Sequence, residues 1–168
     1  MWDGVLHMNA APHGDQQLLQ DDLREWLKRW WARPRKARAV SQRNVARPEE
    51  WPHNYRRPDI VLVTPDRQHF DRGDYIPGPP LIAIEIRSPN DESYDKLSFY
   101  AGVGIPEVWI IDRHSKSTEV FLLHEGNYSS IAADEQGWTT SPATNVMIRF
   151  IGDCLLALQI DGNIESCC

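Results

Sequence analysis

Two short apolar segments decide the fold of this chain: Arg57–Val63 (Arg-Pro-Asp-Ile-Val-Leu-Val) and Leu81–Arg87 (Leu-Ile-Ala-Ile-Glu-Ile-Arg). Continuous apolar runs of this length are typical of strands that are covered on both faces. Each run carries one carboxylate, Asp59 or Glu85, and a buried charge is costly unless something pairs with it. If the two strands are neighbours, their acids lie close together, and a hard cation with oxygen ligands would suit that arrangement.

Further strands on the C-terminal side extend this pair into a sheet. The apolar runs and turn residues predict strands at Glu107–Asp112, Thr118–Leu123, Tyr128–Ala132, Thr144–Phe150 and Leu155–Ile160. We expect 128–132 and 144–150 to form an antiparallel extension of the same sheet. The segment Asp91–Ala101 predicts a helix, which the glycines at 102 and 104 end before Pro106. The pattern predicts an α/β fold of α+β character, with a mixed sheet flanked by helices.

A longer amphipathic helix precedes the sheet, from Asp15 to about Trp31, and Pro34 ends it. Its apolar side chains recur at spacings of three and four residues and form one stripe: Leu19, Leu23, Trp26, Leu27, Trp30 and Trp31. The periodicity favours a core or an oligomer interface for these tryptophans over a platform that stacks on bases. After the helix, Ala37–Ala46 alternates weakly and predicts a strand.

The size and composition suit one globular domain over residues 1–168. The N-terminal residues show no pattern of a secretory signal, and no apolar run approaches the roughly 20 residues that span a bilayer. The three cysteines are odd in number and lack metal-ligand spacing, which fits a reducing compartment better than a disulfide framework. These observations predict a cytoplasmic protein.

Charge is distributed unevenly along the chain. The net charge of −6 argues against a protein that coats nucleic acid by charge alone. Residues 1–57, however, hold eleven Lys/Arg and seven Asp/Glu, whereas residues 58–168 hold seven and seventeen. The basic segment could meet phosphates while the acidic remainder holds a metal, or it could be a solvated helix face and loop.

The alternation of side chains along a strand indicates how the candidate site is built. Ala83, Glu85 and Arg87 share one face, and the isoleucines between them share the other. Asp59 and Glu85 could then approach one Mg²⁺ (or Mn²⁺), with the backbone carbonyl of Ile86 as a third oxygen ligand. The ion would keep several waters, lower the pKa of one of them and offset charge that develops on a phosphodiester.

A cationic side chain is also required, and there are two candidates. Arg87 is on the correct face and could clamp phosphate, but a guanidinium cannot act as a base. Lys96 lies on the following predicted helix, and a lysine near a metal can be tuned towards neutrality. We favour Lys96 for the catalytic role and Arg87 as its support. The alternatives are an exposed helical charge for Lys96, a strand-edge cap or a turn former after proline for Asp59, and for Glu85 a structural ion pair with an arginine at 56, 57 or 87.

The combined motifs resemble the Uma family of restriction-endonuclease-like proteins, within the PD-(D/E)xK nuclease superfamily. The motifs that carry the resemblance are Arg57-Pro58-Asp59, Glu85-Ile86-Arg87-Ser88-Pro89, Lys96 with Tyr100, and Gly102–Asp112. In the N-terminal part, Trp2–Met8, Pro12-His13-Gly14 and the amphipathic helix are also similar to the family. The resemblance therefore extends over nearly the whole chain.

The resemblance implies a restriction-endonuclease-like core with Asp59 and Glu85 as metal ligands. It also implies that the superfamily lysine has moved from position 87, which is Arg here, to Lys96. Family members are expected to be homodimers. The resulting hypothesis is a Mg²⁺-dependent endonuclease that hydrolyses DNA by metal-activated water. The alternative is a catalytically weak or inactive nuclease-fold dimer that acts as a nucleic-acid or protein interaction module.

Overall fold

The computed structural model describes residues 1–2, 4–5, 14–70, 73–89, 91–152 and 155–167. Most of Trp2–Met8, together with Pro12 and His13, lies outside the described residues, so the structure does not bear on that part of the N-terminal resemblance. In the described part of the chain, no helix has the length and apolar character that crossing a membrane would require.

The described residues form twelve strands and two α-helices. Helix α1 is Gly14–Trp26 and helix α2 is Leu97–Val103. The strands are β1 (Arg38–Ser41), β2 (Asn44–Ala46), β3 (Ile60–Val63), β4 (Tyr75–Pro77), β5 (Ile82–Arg87), β6 (Glu107–Asp112), β7 (Thr118–His124), β8 (Asn127–Ser130), β9 (Thr139–Thr140), β10 (Met147–Ile151), β11 (Leu155–Ile160) and β12 (Asn163–Cys167).

The central sheet has six strands in the order β1-β3-β5-β6-β7-β8. Only its β5–β6 pair is parallel, and α2 makes the crossover that a parallel pair requires. The predicted mixed sheet is therefore confirmed. Strand β3 runs antiparallel to β5 with Ile60 opposite Ile84, so one further step along the register brings Asp59 opposite Glu85.

The two helices lie against opposite faces of this sheet. On one face, the apolar stripe of α1 packs against Ile82, Ile84 and Ile86. On the other face, Ala83 packs with the aromatic residues of α2. Trp26 and Trp31 are each only 2% exposed, so these tryptophans belong to the core, as the periodicity predicts.

Helix α2 begins later than the predicted Asp91, at Leu97. The Asp91 carboxylate accepts hydrogen bonds from the backbone N–H groups of Ser88 and Ser93, at 2.6 and 3.0 Å. Such local bonds offer the backbone an alternative to helix, and residues 93–96 form turns instead. Lys96 is consequently the N-cap residue of α2. The helix also continues two residues beyond the predicted Ala101, to Val103, and Gly104 ends it with a left-handed φ of 85°.

The C-terminal strands differ most from the prediction. Strand β8 is the edge of the central sheet, but β10 pairs with β9 and β11 in a separate sheet of order β12-β11-β10-β9. The intervening chain turns at Asp134, whose carboxylate accepts from the N–H groups of Gln136 and Trp138. This second sheet buries Ile148 and Leu158 in the same cluster as α1, which is why it leaves the edge of the first sheet.

The predicted strand over 37–46 is two strands. Gln42, at the bend between β1 and β2, has a left-handed φ of 50°. Strand β1 joins the central sheet, whereas β2 pairs in parallel with β4 in a two-stranded sheet. The first helix also continues beyond α1 as a π-helical turn, Leu27–Ala32, and a 3₁₀ turn, Arg33–Arg35.

Candidate functional site

An open pocket of about 310 Å³, including its solvent-exposed mouth, lies beside the strands β3 and β5. It is lined by Arg57, Asp59, Glu85, Ile86, Asp91, Glu92, Ser93 and Lys96. Four of the predicted site residues, Asp59, Glu85, Ile86 and Lys96, therefore meet in one pocket.

Glu85 lies at the centre of a buried network and is only 2% exposed. Its Oε2 accepts a hydrogen bond from Nζ of Lys96 at 2.7 Å, and its Oε1 accepts one from the Tyr100 hydroxyl at 2.5 Å. Lys96 is 6% exposed, so it is not the solvated helical charge that the sequence left as an alternative. Among the described residues, Glu85 is paired with this lysine and with none of the three arginines considered from the sequence.

The Glu85–Lys96 pair is electrostatically coupled. Burial raises the pKa of Glu85, although the charge and the hydrogen bond of Lys96 oppose this effect. Burial lowers the pKa of Lys96, but the charge of Glu85, its hydrogen bond and the charge of Asp59 outweigh burial and hold the pKa above its ordinary value. Lys96 is consequently an ammonium in this environment, whereas the sequence left room for a neutral amine.

Asp59 is held by the backbone of the neighbouring strand. Its Oδ2 accepts a hydrogen bond from the Ile86 N–H at 2.7 Å. Burial and, to a smaller extent, the charge of Glu85 raise the pKa of Asp59 from 3.8 to about 7. The side chain thus caps the backbone of the neighbouring strand, which is one of the alternatives considered from the sequence, and it also lines the pocket with Glu85.

Two glutamines of α1 position the backbone on which the site is built, and the sequence reasoning missed both. Gln20 donates from Nε2 to the carbonyl oxygen of Asp59 at 3.1 Å, and Gln16 donates to the carbonyl oxygen of Ile86 at 3.0 Å. Gln20 is only 4% exposed. A spacing of four residues, beside the apolar stripe of α1, is the signal that could have indicated two side chains directed at the sheet.

The structure does not bring Arg87 into this pocket. Its guanidinium lies 3.7 Å from Oδ2 of Asp112, at the end of the neighbouring strand β6. It also lies over the ring of Tyr94, 5.3 Å from the centroid. Arg87 therefore has an acidic partner of its own, one strand away from the Glu85 network.

The pocket offers oxygen atoms that could hold a divalent cation. Among the described residues, no group of three His, Cys, Asp or Glu side chains is arranged to hold a metal. The two carboxylates of Asp59 and Glu85 with the carbonyl of Ile86 form an all-oxygen set, and Mg²⁺ often takes only one or two protein carboxylates. Burial and the charge of Glu85 raise the pKa of Asp59, and a cation bound between the two carboxylates would oppose both effects. The donor set suits Mg²⁺ or Mn²⁺ better than Zn²⁺, because none of the described residues that line this pocket is His or Cys.

Comparisons with known proteins agree with this architecture. The crystal structure of a protein described as a putative nuclease belonging to DUF820, from Anabaena variabilis, is similar with a TM-score of 0.66 and 18% identity. The similarity covers 85% of this chain and 80% of that chain, and at this identity it shows the fold. No curated protein sequence matches the chain. Residues 1–148 match the family described as "Uma2: Putative restriction endonuclease". Because this match covers most of the sequence, the chain belongs to the Uma2 family.

Proposed function

We propose that this protein is a Mg²⁺-dependent (or Mn²⁺-dependent) endonuclease that hydrolyses phosphodiester bonds of DNA. The observation that carries the proposal is the convergence of Asp59, Glu85 and Lys96, from three different elements, in one solvent-open pocket. Charged side chains are ordinarily solvated on the surface, whereas here Glu85 and Lys96 are buried and line a pocket together with Asp59. The family and the nuclease-like fold support the same chemistry.

In this proposal, Asp59 and Glu85 hold the cation together with the carbonyl oxygen of Ile86. When bound, the ion would lower the pKa of the attacking water and offset charge on the phosphate. Lys96 acts as an ammonium, because the surrounding carboxylates keep it protonated. It orients the water and stabilises negative charge that develops in the transition state, but it does not accept a proton.

Tyr100 and Gln20 position these groups. The Tyr100 hydroxyl fixes the second oxygen of Glu85, so that the carboxylate cannot rotate freely away from the pocket. Gln20 fixes the backbone at Asp59 from the other face of the sheet. Arg87 as a support for phosphate stays a prediction, and in that role its guanidinium would exchange the contact with Asp112 for one with substrate.

The test is a plasmid-nicking assay with Mg²⁺ or Mn²⁺ that compares the wild type with Asp59→Ala, Glu85→Ala and Lys96→Met. Asp161→Ala is the control, because Asp161 lies in the exposed turn between β11 and β12. We expect nicking by the wild type and the control, and a loss of at least about a hundredfold in the other three. Equal nicking by all five proteins, or none by any of them, would count against the proposal.

One observation favours a second function, a nuclease-fold interaction module without catalysis. Both oxygens of Glu85 already accept hydrogen bonds, from Lys96 and Tyr100, so the carboxylate is satisfied without a metal. Isothermal titration calorimetry with MnCl₂ distinguishes the two functions. Measurable Mn²⁺ binding that Asp59→Ala removes favours the nuclease, whereas absence of both binding and nicking favours the module.

The homodimer that the resemblance implies stays a prediction, which sedimentation equilibrium would check.

A further inference from the structure

Arg57 is a cation of the pocket that the catalytic scheme leaves unused. It is exposed, lies two residues before Asp59 and lines the same pocket. Its guanidinium is nevertheless held in one orientation by a single neighbour, Gln42. Nε of Arg57 donates to the backbone carbonyl of Gln42 at 3.0 Å, and Nη2 donates to Oε1 of Gln42 at 2.9 Å.

Gln42 is itself fixed to the site by the backbone. Its N–H donates to the carbonyl oxygen of Asp59 at 3.0 Å, and its left-handed φ of 50° places it at the bend between β1 and β2. Gln42 therefore connects the guanidinium of Arg57 to the backbone of Asp59, the proposed metal ligand. This arrangement restricts an arginine that would otherwise sample many rotamers.

In the part of the chain that the structure describes, no acidic side chain forms an ion pair with Arg57. Asp59, Glu85, Asp91 and Glu92 line the same pocket, yet the guanidinium of Arg57 donates to the two neutral oxygens of Gln42. A guanidinium has five N–H groups, so three remain for a ligand. A planar cation that neutral oxygens orient at the mouth of a pocket is suited to bind an oxyanion in a bidentate manner.

We propose that Arg57, oriented by Gln42, binds a backbone phosphate of the DNA substrate at the mouth of the pocket. The inference rests on the proposed function, and it assigns a phosphate contact to a residue other than Arg87, Lys96 and the proposed metal ligands. Arg57 contributes binding energy and positions the DNA. A phosphate bound there fixes the distance of the DNA strand from Asp59 and Glu85.

The experiment measures binding of a fluorescein-labelled DNA duplex as a function of KCl concentration, both in EDTA and at a fixed Ca²⁺ concentration. Each phosphate contact contributes about 0.9 to the slope of log K against log salt for duplex DNA. We expect Arg57→Gln to lower the magnitude of this slope by about 0.9 and to weaken binding about tenfold. Arg57→Lys and Gln42→Ala keep the charge, so we expect them to keep the slope while they weaken binding severalfold.

The control is Arg33→Gln, which makes the same change of charge at an exposed residue in the 3₁₀ turn after the first helix. The inference is overturned if Arg57→Gln binds with the wild-type slope, if Arg33→Gln lowers the slope equally, or if the wild type binds no duplex. Plasmid nicking reports separately on the proposed function. A wild type that binds with the expected slope but does not nick removes the nuclease and keeps the phosphate contact. If the wild type nicks plasmid but Arg57→Gln binds duplex with the wild-type slope, the proposed nuclease is kept and the phosphate contact of Arg57 is removed.

Discussion

Nζ of Lys96 lies 2.7 Å from Oε2 of Glu85, and both side chains are buried between strand β5 and the start of α2. Buried ion pairs contribute little net stability when compared with apolar residues, but removal of one partner leaves an uncompensated charge. The pair therefore has a measurable consequence for folding as well as for the proposed chemistry.

Lys96→Met is expected to lower the free energy of unfolding by about 3–5 kcal/mol at neutral pH, because it leaves the Glu85 carboxylate buried without its cation. The double variant Lys96→Met with Glu85→Gln should recover part of this loss, since the remaining carboxamide carries no charge. Urea unfolding measures both, and Lys36→Met, at an exposed lysine, is the control. A loss no larger than that of Lys36→Met would show that the pair is not formed in solution.

Asp59 gives the stability a pH dependence of known sign. Its pKa is raised by burial and by Glu85 to about 7 in the folded protein, from 3.8. The folded state thus holds this proton more tightly than the unfolded state does. The stabilising contribution is complete below about pH 3.8, decreases as the pH rises, and is lost above about pH 7. The decrease is at most about 1.4 kcal/mol per pH unit.

The measurement compares urea unfolding of the wild type and Asp59→Asn in EDTA between about pH 5 and 8, since effects of other groups largely cancel in the difference. We expect the stability of the wild type, relative to Asp59→Asn, to fall up to about pH 7 and then to stay constant. A relative stability that stays constant across this pH range would mean that Asp59 is an ordinary carboxylate, which is ionised in both the folded and the unfolded state.

A bound divalent cation should offset the unfavourable free energy of burying the ionised Asp59 carboxylate in the folded protein. At about pH 8, MnCl₂ is expected to raise the melting temperature of the wild type, because a ligand that binds only the folded state stabilises it. Asp59→Asn and Glu85→Gln should each lose most of this increase, whereas Asp161→Asn should retain it. Differential scanning fluorimetry with a Mn²⁺ titration gives the result without any substrate. An identical increase in all four proteins would place the metal elsewhere.

The sequence predicted the positions of the two acidic residues in the sheet better than it predicted the residues that hydrogen-bond to the backbone around them. Asp59 and Glu85 stand on continuous apolar runs, and the period of two along a strand indicated which face of β5 carries Glu85. Lys96 was favoured from its position on the segment that follows the Glu85 strand, and the family resemblance implied the same residue, although α2 begins only after it. Gln16 and Gln20 were missed because a polar residue next to an apolar stripe resembles a solvated one, and only the tertiary fold shows the carbonyl that it reaches.

The second sheet was missed for a similar reason. The local sequence of short antiparallel strands such as β9 and β10 does not indicate which sheet they join, since their pairing depends on long-range packing. Ile148 and Leu158 face the cluster that α1 already occupies, and this burial decides the second sheet. Local patterns thus predicted the strands, whereas the partners of the C-terminal strands required the fold.

Glu107 supplies the last prediction, because it joins the two sheets. This carboxylate is 0% exposed, and its oxygens accept hydrogen bonds from Nε1 of Trp109 at 2.5 Å and from the backbone N–H of Ala143 at 3.1 Å. Ala143 lies in the turn between β9 and β10, so the contact fixes the second sheet against β6. Glu107→Gln replaces one acceptor with an NH₂ group that faces a donor. We expect a loss of about 1–3 kcal/mol in the free energy of unfolding.

The Mn²⁺ affinity of the folded Glu107→Gln protein should stay unchanged, because Glu107 is at the opposite end of the paired strands from Glu85. In the parallel register of β5 and β6, Glu107 lies opposite Ile82, whereas Glu85 lies opposite Ile110. Calorimetry below the melting temperature separates the two effects. A lower Mn²⁺ affinity at unchanged stability would make Glu107 part of the site, whereas lower stability at unchanged affinity identifies it as the residue that holds the second sheet in place.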